Sequence, residues 1–415
     1  MKKYILIILC CLTSFPLWSY NVNMIVEHYS VDQGLPNNTV NCTLKDRDGF
    51  IWFGTWYGLC CFDGVKFKTF NKQEHDSDVP PRKIQRIVED KNGYIWVKTI
   101  DRKLYVFNKV TECFHAVYDD MKNYSENIQV IKLQNTAEGD VLLLTKDKNL
   151  LLAGVDEKGQ VTIKILFDSR NEINKHDYTL KHHVLCETEE YISWIGTDYK
   201  VAAVHKGSEL ASRPADFITS KINSGDKDSF TSFFEDGRKV WVGDRAGIFY
   251  SIDVRTGLVN RYVLSEIKGA ISNLLVTPAG YVYLSVAGQG TYEYDLAERR
   301  LQKINTEMND AMVTHAFIDQ YDKIWFHENE KALIYYDPLN HTAKRFPFTM
   351  FGKITTLYSE DAGERGLFFL SPAGEAWLFD REHVEMVYIN KLKQLSNDRA
   401  NQQFYHLMLD NDGVL

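Results

Sequence analysis

One motif returns eight times along this 415-residue chain. Each copy centres on a short apolar strand that follows a turn. Most copies place an aromatic there, and the clearest add a glycine. The sharpest copy reads Asp48-Gly49-Phe50-Ile51-Trp52-Phe53-Gly54-Thr55, followed by Gly58-Leu59-Cys60-Cys61-Phe62-Asp63. The others centre on Trp96, Leu142, Trp194, Trp241, Tyr283, Trp325 and Phe368, in steps of 44, 46, 52, 47, 42, 42 and 43 residues. A period of about 40–50 residues is the signature of small four-stranded sheets arranged radially. The fold class is therefore all-β, a β-propeller of four-stranded antiparallel blades.

The first copy divides into four β-runs: 40–44, 50–53, 58–62 and 66–70. Each is short, rich in β-branched or aromatic residues, and bounded by Asp, Asn or Gly. The Asp48-Gly49 and Asp63-Gly64 pairs suit tight hairpins, because glycine accepts positive φ. The other copies divide in the same way. The third has lost its aromatic and its glycine and reads Val141-Leu142-Leu143-Leu144, and the eighth keeps Phe368-Phe369 and Trp377-Leu378-Phe379-Asp380. The recurring tryptophan is expected to fill the wedge between neighbouring blades, where burying such a ring is worth about 2–3 kcal/mol. The glycine after it is expected to allow close backbone approach.

The ends of the chain carry their own expectations. Lys2 and Lys3 precede a short apolar run, 4–12, so residues 1–20 read as a secretory signal, with an uncleaved anchor as the alternative. The formal net charge of −8 speaks against a nucleic-acid binder, which needs a basic excess. The five cysteines beyond the leader, Cys42, Cys60, Cys61, Cys113 and Cys186, are odd in number and show no metal spacing. They read as small buried apolar side chains. At the other end, Asp410-Asn411-Asp412-Gly413-Val414-Leu415 repeats Asp46-Arg47-Asp48-Gly49-Phe50-Ile51 and opens a ninth copy. The chain thus reads as the N-terminal piece of a longer protein. Seven repeats over 24–350 would close one propeller, and 351–415 would begin a second; one eight-bladed ring is the alternative. Residues 24–30 look like a spare strand for closing a ring.

Gln33-Gly34-Leu35-Pro36-Asn37-Asn38-Thr39-Val40, followed by Asp46 to Thr55 and Gly58-Leu59, resembles the two-component-regulator propeller repeat. The resemblance is specific in the first copy, good in the second, fourth and fifth, and weak in the third and eighth. It implies the start of the periplasmic sensor of a Bacteroidetes-type hybrid two-component system. In such proteins two seven-bladed propellers and an immunoglobulin-like domain precede a membrane helix. A histidine kinase, a receiver and a DNA-binding domain follow in the cytoplasm. The resemblance further implies sensing of glycan fragments, control of polysaccharide-utilisation genes and a homodimeric receptor held in the inner membrane by downstream segments.

Recognition is expected in the loops joining the second and third strands of each blade, because variable loops on a rigid scaffold carry binding. These offer Trp56, Tyr57, Asp101, Arg102, Asp198, Tyr199, Lys200, Asp244, Arg245, Gln289 and Glu328. Aromatic rings can stack on apolar sugar faces, and the charged groups can bond hydroxyls of an oligosaccharide; the bland reading of each is a solvated loop residue. Catalysis, a cofactor and a resident metal find no sequence support. His182-His183 is the only adjacent histidine pair and lies on a first strand, and no hydrolase, phosphate-loop or zinc motif is present. The Asp48-to-Trp52 stretch is loosely similar to the Asp-box of sialidase propellers, a structural turn without chemistry. A sensing module is thus weighed against a secreted lyase or hydrolase and a protein-binding scaffold.

Overall fold

A computed structural model of the chain describes residues 29–70, 72–73, 80–122, 129–169, 180–188, 190–196, 201–207, 230–304, 313–329, 331–351, 357–361, 363, 366–371 and 373–391. Across these residues the chain is built of short strands grouped into eight sheets, each following the order of the sequence. Sheet 1 comprises Val40–Lys45, Ile51–Thr55, Gly58–Phe62 and Phe67–Phe70. Sheet 2 comprises Ile84–Glu89, Ile95–Thr99, Leu104–Asn108 and Cys113–Ala116, and Lys72–Gln73 pairs parallel with its outer strand. Sheet 3 comprises Val130–Asn135, Val141–Thr145, Leu150–Val155 and Val161–Phe167. Sheet 4 shows three strands, Leu180–Glu187, Tyr191–Gly196 and Val201–His205. Sheet 5 holds Phe230–Glu235, Lys239–Asp244, Ile248–Asp253 and Val259–Val263, and sheet 6 holds Ile271–Val276, Tyr281–Val286, Gly290–Asp295 and Arg300–Lys303. Sheet 7 holds Val313–Ile318, Ile324–Glu328, Ala332–Asp337 and Thr342–Pro347. Sheet 8 holds Tyr358–Asp361, Leu367–Leu370, Glu375–Asp380 and Glu385–Lys391. These are the antiparallel meander blades of a β-propeller. The weak third and eighth copies fold like the rest, because a continuously apolar strand buried on both faces pairs without the recurring tryptophan.

Each consecutive pair of sheets is sealed by an apolar cluster, and the first strands run side by side between sheets 1 and 2, 5 and 6, and 6 and 7. Trp52, Trp96, Trp241 and Trp325 lie in the seam to the following sheet, as the sequence leads one to expect. Trp194 is the exception. It packs back onto Phe167 of sheet 3, ring centroids 5.0 Å apart.

The recurring aspartate before the strand explains the motif. Asp46 accepts from the Asp48 and Phe50 amides through Oδ1 and from Trp52 Nε1 through Oδ2, the last at 2.8 Å. Asp90 with Trp96, Asp236 with Trp241 and Asp319 with Trp325 repeat the pattern at 2.9, 2.8 and 3.3 Å. Where Leu142 or Tyr283 stands in place of the tryptophan, the cap is Thr136 or Thr277, whose hydroxyl accepts from the Asp140 or Tyr281 amide and reaches no indole. The aspartate caps the hairpin turn and satisfies a buried indole N–H at once. Burial would raise the Asp46 carboxyl, but the Trp52 indole and the Lys109 ammonium outweigh it and hold it below the usual carboxylate range.

The glycine after the tryptophan also has its expected role. A Cβ on Gly54 would lie 2.4 Å from Cys42 Sγ and 2.6 Å from Ile84 Cγ2. On Gly243 it would lie 2.4 Å from Ser232 Oγ and 2.7 Å from Ile271 Cγ2. The next sheet leans on the bare backbone at these points. Cys42, Cys60, Cys61 and Cys113 are free thiols, the first three pushed up to about 12 chiefly by burial. Residues 24–28, the leader, the side chains of His182, His183 and Cys186, and the ninth copy lie outside what is described. Tyr29 and Ser30 lead into a 3-10 turn, Val31–Gln33, and Tyr29 covers the Phe62 and Phe67 rings of sheet 1. No described helix is long and apolar enough to cross a membrane.

Candidate ligand-binding face

The turns between second and third strands share one face with the linkers that enter each sheet. The Lys83 amide donates to the Trp56 carbonyl, and Ile100 donates to the Lys83 carbonyl, so the turns of sheets 1 and 2 flank one linker residue. Arg102 accepts from Val130, and Lys146 donates to Gln129, which extends the row to sheet 3.

The residues expected to bind fall on these turns, in unequal settings. Trp56 and Tyr57 are 38% and 60% exposed, and Lys83 Nζ lies 5.3 Å from the Trp56 ring centroid. Asp101 is exposed, accepts from the Thr99 hydroxyl and pairs with Lys103 at 3.5 Å. Arg102 sits at φ 68°, exposed. Asp244 is buried. Its Oδ1 accepts from the Ala246 and Ile248 amides, and burial raises its carboxyl against those bonds and Arg261. Arg245 is exposed. Gln289 accepts from the Lys268 amide and donates to the Glu266 carbonyl. Glu328 is buried and held by Arg345 Nη2 at 3.0 Å. Asp198, Tyr199 and Lys200 lie outside the described residues. The structure brings Trp56, Tyr57, Asp101 and Arg102 together around Lys83. It occupies Asp244, Gln289 and Glu328 with partners of their own.

Periodicity did not reveal a second feature of this face. Opposite the end of the second strand, the first strand carries a bulge, at 40–42, 84–86, 130–132, 230–232, 271–273 and 313–315. A bulge re-aims a side chain. Here the extra residue is polar in five sheets: Asn41, Gln85, Thr231, Ser272 and Thr314. Asn41 and Thr231 bond the Ile84 and Ile271 carbonyls of the next sheet at 2.8 and 2.6 Å. Gln85 instead accepts from Lys98 Nζ at 2.7 Å, and Thr314 bonds His327 Nδ1 at 2.8 Å. Lys98 and His327 stand where Gly54 and Gly243 stand in other copies, a departure visible in an alignment of the repeats.

On the opposite face a cavity of ≈ 730 Å³ opens between sheets 1 and 2, lined in part by Arg47, Phe50, Lys68, Tyr94 and Lys109. Beside it Asp46, Asp48 and Glu89 approach with a geometry that would suit a cation. The Lys109 ammonium already fills it, at 3.0, 2.9 and 2.8 Å from the three carboxylates. Burial would lower Lys109, but its bonds to Asp48, Glu89 and Asp46 hold it above the ordinary lysine value. Arg381 reaches back from sheet 8 to Asp319 of sheet 7 in the same way, at 2.6 Å.

The family model described as Two component regulator propeller matches residues 34–57. The match spans the entry to sheet 1 and its first two strands. Among curated proteins none matches the chain. Among solved structures, the chain is similar to the extracellular domain described as that of a hybrid two component system, BT3049, from B. thetaiotaomicron: 15% identity over 88% of this chain and 55% of that one, TM-score 0.37. A second B. thetaiotaomicron extracellular domain, described as that of the one component system BT4673, gives 14% identity over 86% and 61%, TM-score 0.29. Saccharomyces cerevisiae Sqt1 gives 11% over 80% and 92%, TM-score 0.48. The chain spans about 55–61% of the length of the two B. thetaiotaomicron domains. At TM-scores below 0.5, nothing about function is carried over from these likenesses.

Proposed function

We propose that this chain is the ligand-sensing propeller region of an exported signalling receptor, and that it responds to saccharide fragments. The observation that carries the reading is the two-component-regulator propeller repeat in the first blade. The row of second-to-third-strand turns supports it, because loops on a rigid sheet scaffold are the usual place for recognition. Trp56 and Tyr57 offer exposed ring faces there, and Arg102 offers a guanidinium. The chain's own task in this reading is binding without turnover. The receptor would be periplasmic and homodimeric, joined to the inner membrane and to a histidine kinase by residues after Leu415.

A thermal-shift screen of oligosaccharides against the purified chain tests this directly. A ligand at a hundredfold excess over its Kd adds about 2.7 kcal/mol to folding and raises Tm. A hit with no product formed on long incubation supports sensing, whereas cleavage of the saccharide would support the enzyme reading. A reading frame beyond Leu415 that encodes neither a membrane helix nor a kinase would remove the receptor.

A further inference from the structure

The position two residues after the recurring aromatic is glycine in sheets 1 and 5 because the next sheet's first strand presses on it. In sheet 2 the same position holds Lys98, whose Cα partner on the first strand is Arg86. A cross-strand pair shares one side of its sheet, so both side chains leave the same side. The Lys98 side chain enters the seam and is 6% exposed. Its recorded partner is neutral, Gln85 Oε1 at 2.7 Å. Arg102, on the adjoining turn, and Arg86 are both exposed. Burial first, then Arg102 and Arg86, push the Lys98 ammonium below its ordinary range.

Among the described residues no ion pair joins any of the three to a carboxylate. The neighbouring acid, Asp101, is engaged by the Thr99 hydroxyl and Lys103. Buried ammonium groups are costly without a counter-charge. Two further cations beside one sharpen that cost, in a chain whose formal net charge is −8.

We propose that Arg86, Lys98 and Arg102 form an oxyanion-binding site that takes the carboxylate or sulfate of an acidic saccharide. The proposal rests on the saccharide-sensing reading and narrows it to a charged class of ligand. An arginine fork matches a planar carboxylate or a sulfate edge in two bonds, and the lysine adds a point charge. The Gln85 amide offers donors to an adjacent hydroxyl. Trp56, across Lys83 on the same face, offers a ring for the next sugar.

The test uses the whole chain with four probes: an oligogalacturonate, a sulfated disaccharide, an uncharged oligosaccharide of equal length, and inorganic sulfate. Acidic saccharides should raise Tm and weaken as salt rises. The double variant Arg86→Gln/Arg102→Gln, at exposed positions, should raise their Kd at least tenfold without lowering the ligand-free Tm. Lys98→Met should do the same. Acidic saccharides that bind the double variant as tightly as the parent chain would overturn the site. Uncharged saccharides that bind as well as acidic ones would overturn it while leaving saccharide sensing intact. Inorganic sulfate that binds the parent chain and not the variant, with every saccharide silent, would support the oxyanion site and remove the saccharide. Silence from all four would overturn both.

Discussion

Single side chains settle much of how each sheet is cornered. Asp46 bonds two turn amides and one indole, so Asp46→Ala strands three donors in or near the core. Unsatisfied buried donors cost about 1–3 kcal/mol each where water cannot reach them. The expected loss is about 2–3 kcal/mol by urea unfolding, because part of the turn can rehydrate. Thr277→Ala, which frees one amide and no indole, should cost roughly a third of that. Glu235 makes the opposite case. Burial, aided by Glu187 and Asp236, pushes its carboxyl up to about 7, and its Oε2 is buried without a partner. A raised carboxyl contributes stability below its unfolded value of 4.5 and loses it as pH climbs through 7. Glu235→Gln should therefore match the parent chain near pH 5 and exceed it near pH 8 by about 1–2 kcal/mol, allowing for partial solvent screening. Equal melting curves at both pH values would contradict this.

At the level of strands and seams, the sequence told most of the story. The repeated aromatic, the Asp-Gly turns and the short β-runs placed the four strands of the first copy to within a residue or two, because strand period and turn chemistry are local. Gly49 and Gly64 both sit at φ 91°. The same reading could not see which acid serves which ring. It missed that Thr136 and Thr277 replace aspartate where no indole needs an acceptor, and that Trp194 turns to the preceding sheet. Nor could it foresee the bulge, which exists only as a mismatch between two paired strands. The described residues among those expected to bind do fall at the ends of second strands or in the turns that follow them. Yet Asp244 and Glu328 look exposed in sequence and are buried, since only tertiary packing brings Arg345 to Glu328. The glycine seams give a direct test: Gly243→Ala forces a Cβ against Ile271 and Ser232. Overpacking of this kind costs about 1–3 kcal/mol. Chemical denaturation should show the loss, and Ser232→Ala, which removes the nearest clashing atom, Oγ at 2.4 Å, should recover part of it.

For the whole molecule, stability comes from neighbour-to-neighbour seams rather than from one central core. Seven apolar clusters join eight sheets in order. Cations reach across several of those seams as well. Lys109→Ala would leave Asp46, Asp48 and Glu89 facing each other without their shared counter-charge. Breaking a largely buried ionic group typically costs about 3–5 kcal/mol, reduced here because Asp48 is 56% exposed. Hydrogen exchange should register that loss in sheets 1 and 2 before it reaches sheet 6. In the parent chain, exchange should be slowest in second and third strands, which are buried throughout sheets 2, 3, 6 and 7. It should be fastest in outer strands such as Val259–Val263 and Arg300–Lys303, which are largely exposed. Uniform protection across all four strands would contradict a seam-based account.

In sheets 1, 2, 5 and 7 the carboxylate that stitches the corner to its indole lies within the same copy, six residues or fewer away along the chain. The aspartate–indole bond itself draws on no distant residue, and Lys109 and Arg381 brace two of these aspartates from the following sheet. A whole copy can thus be duplicated or lost in evolution with its fastening intact, and the rim of the molecule can gain or shed places for recognition one unit at a time.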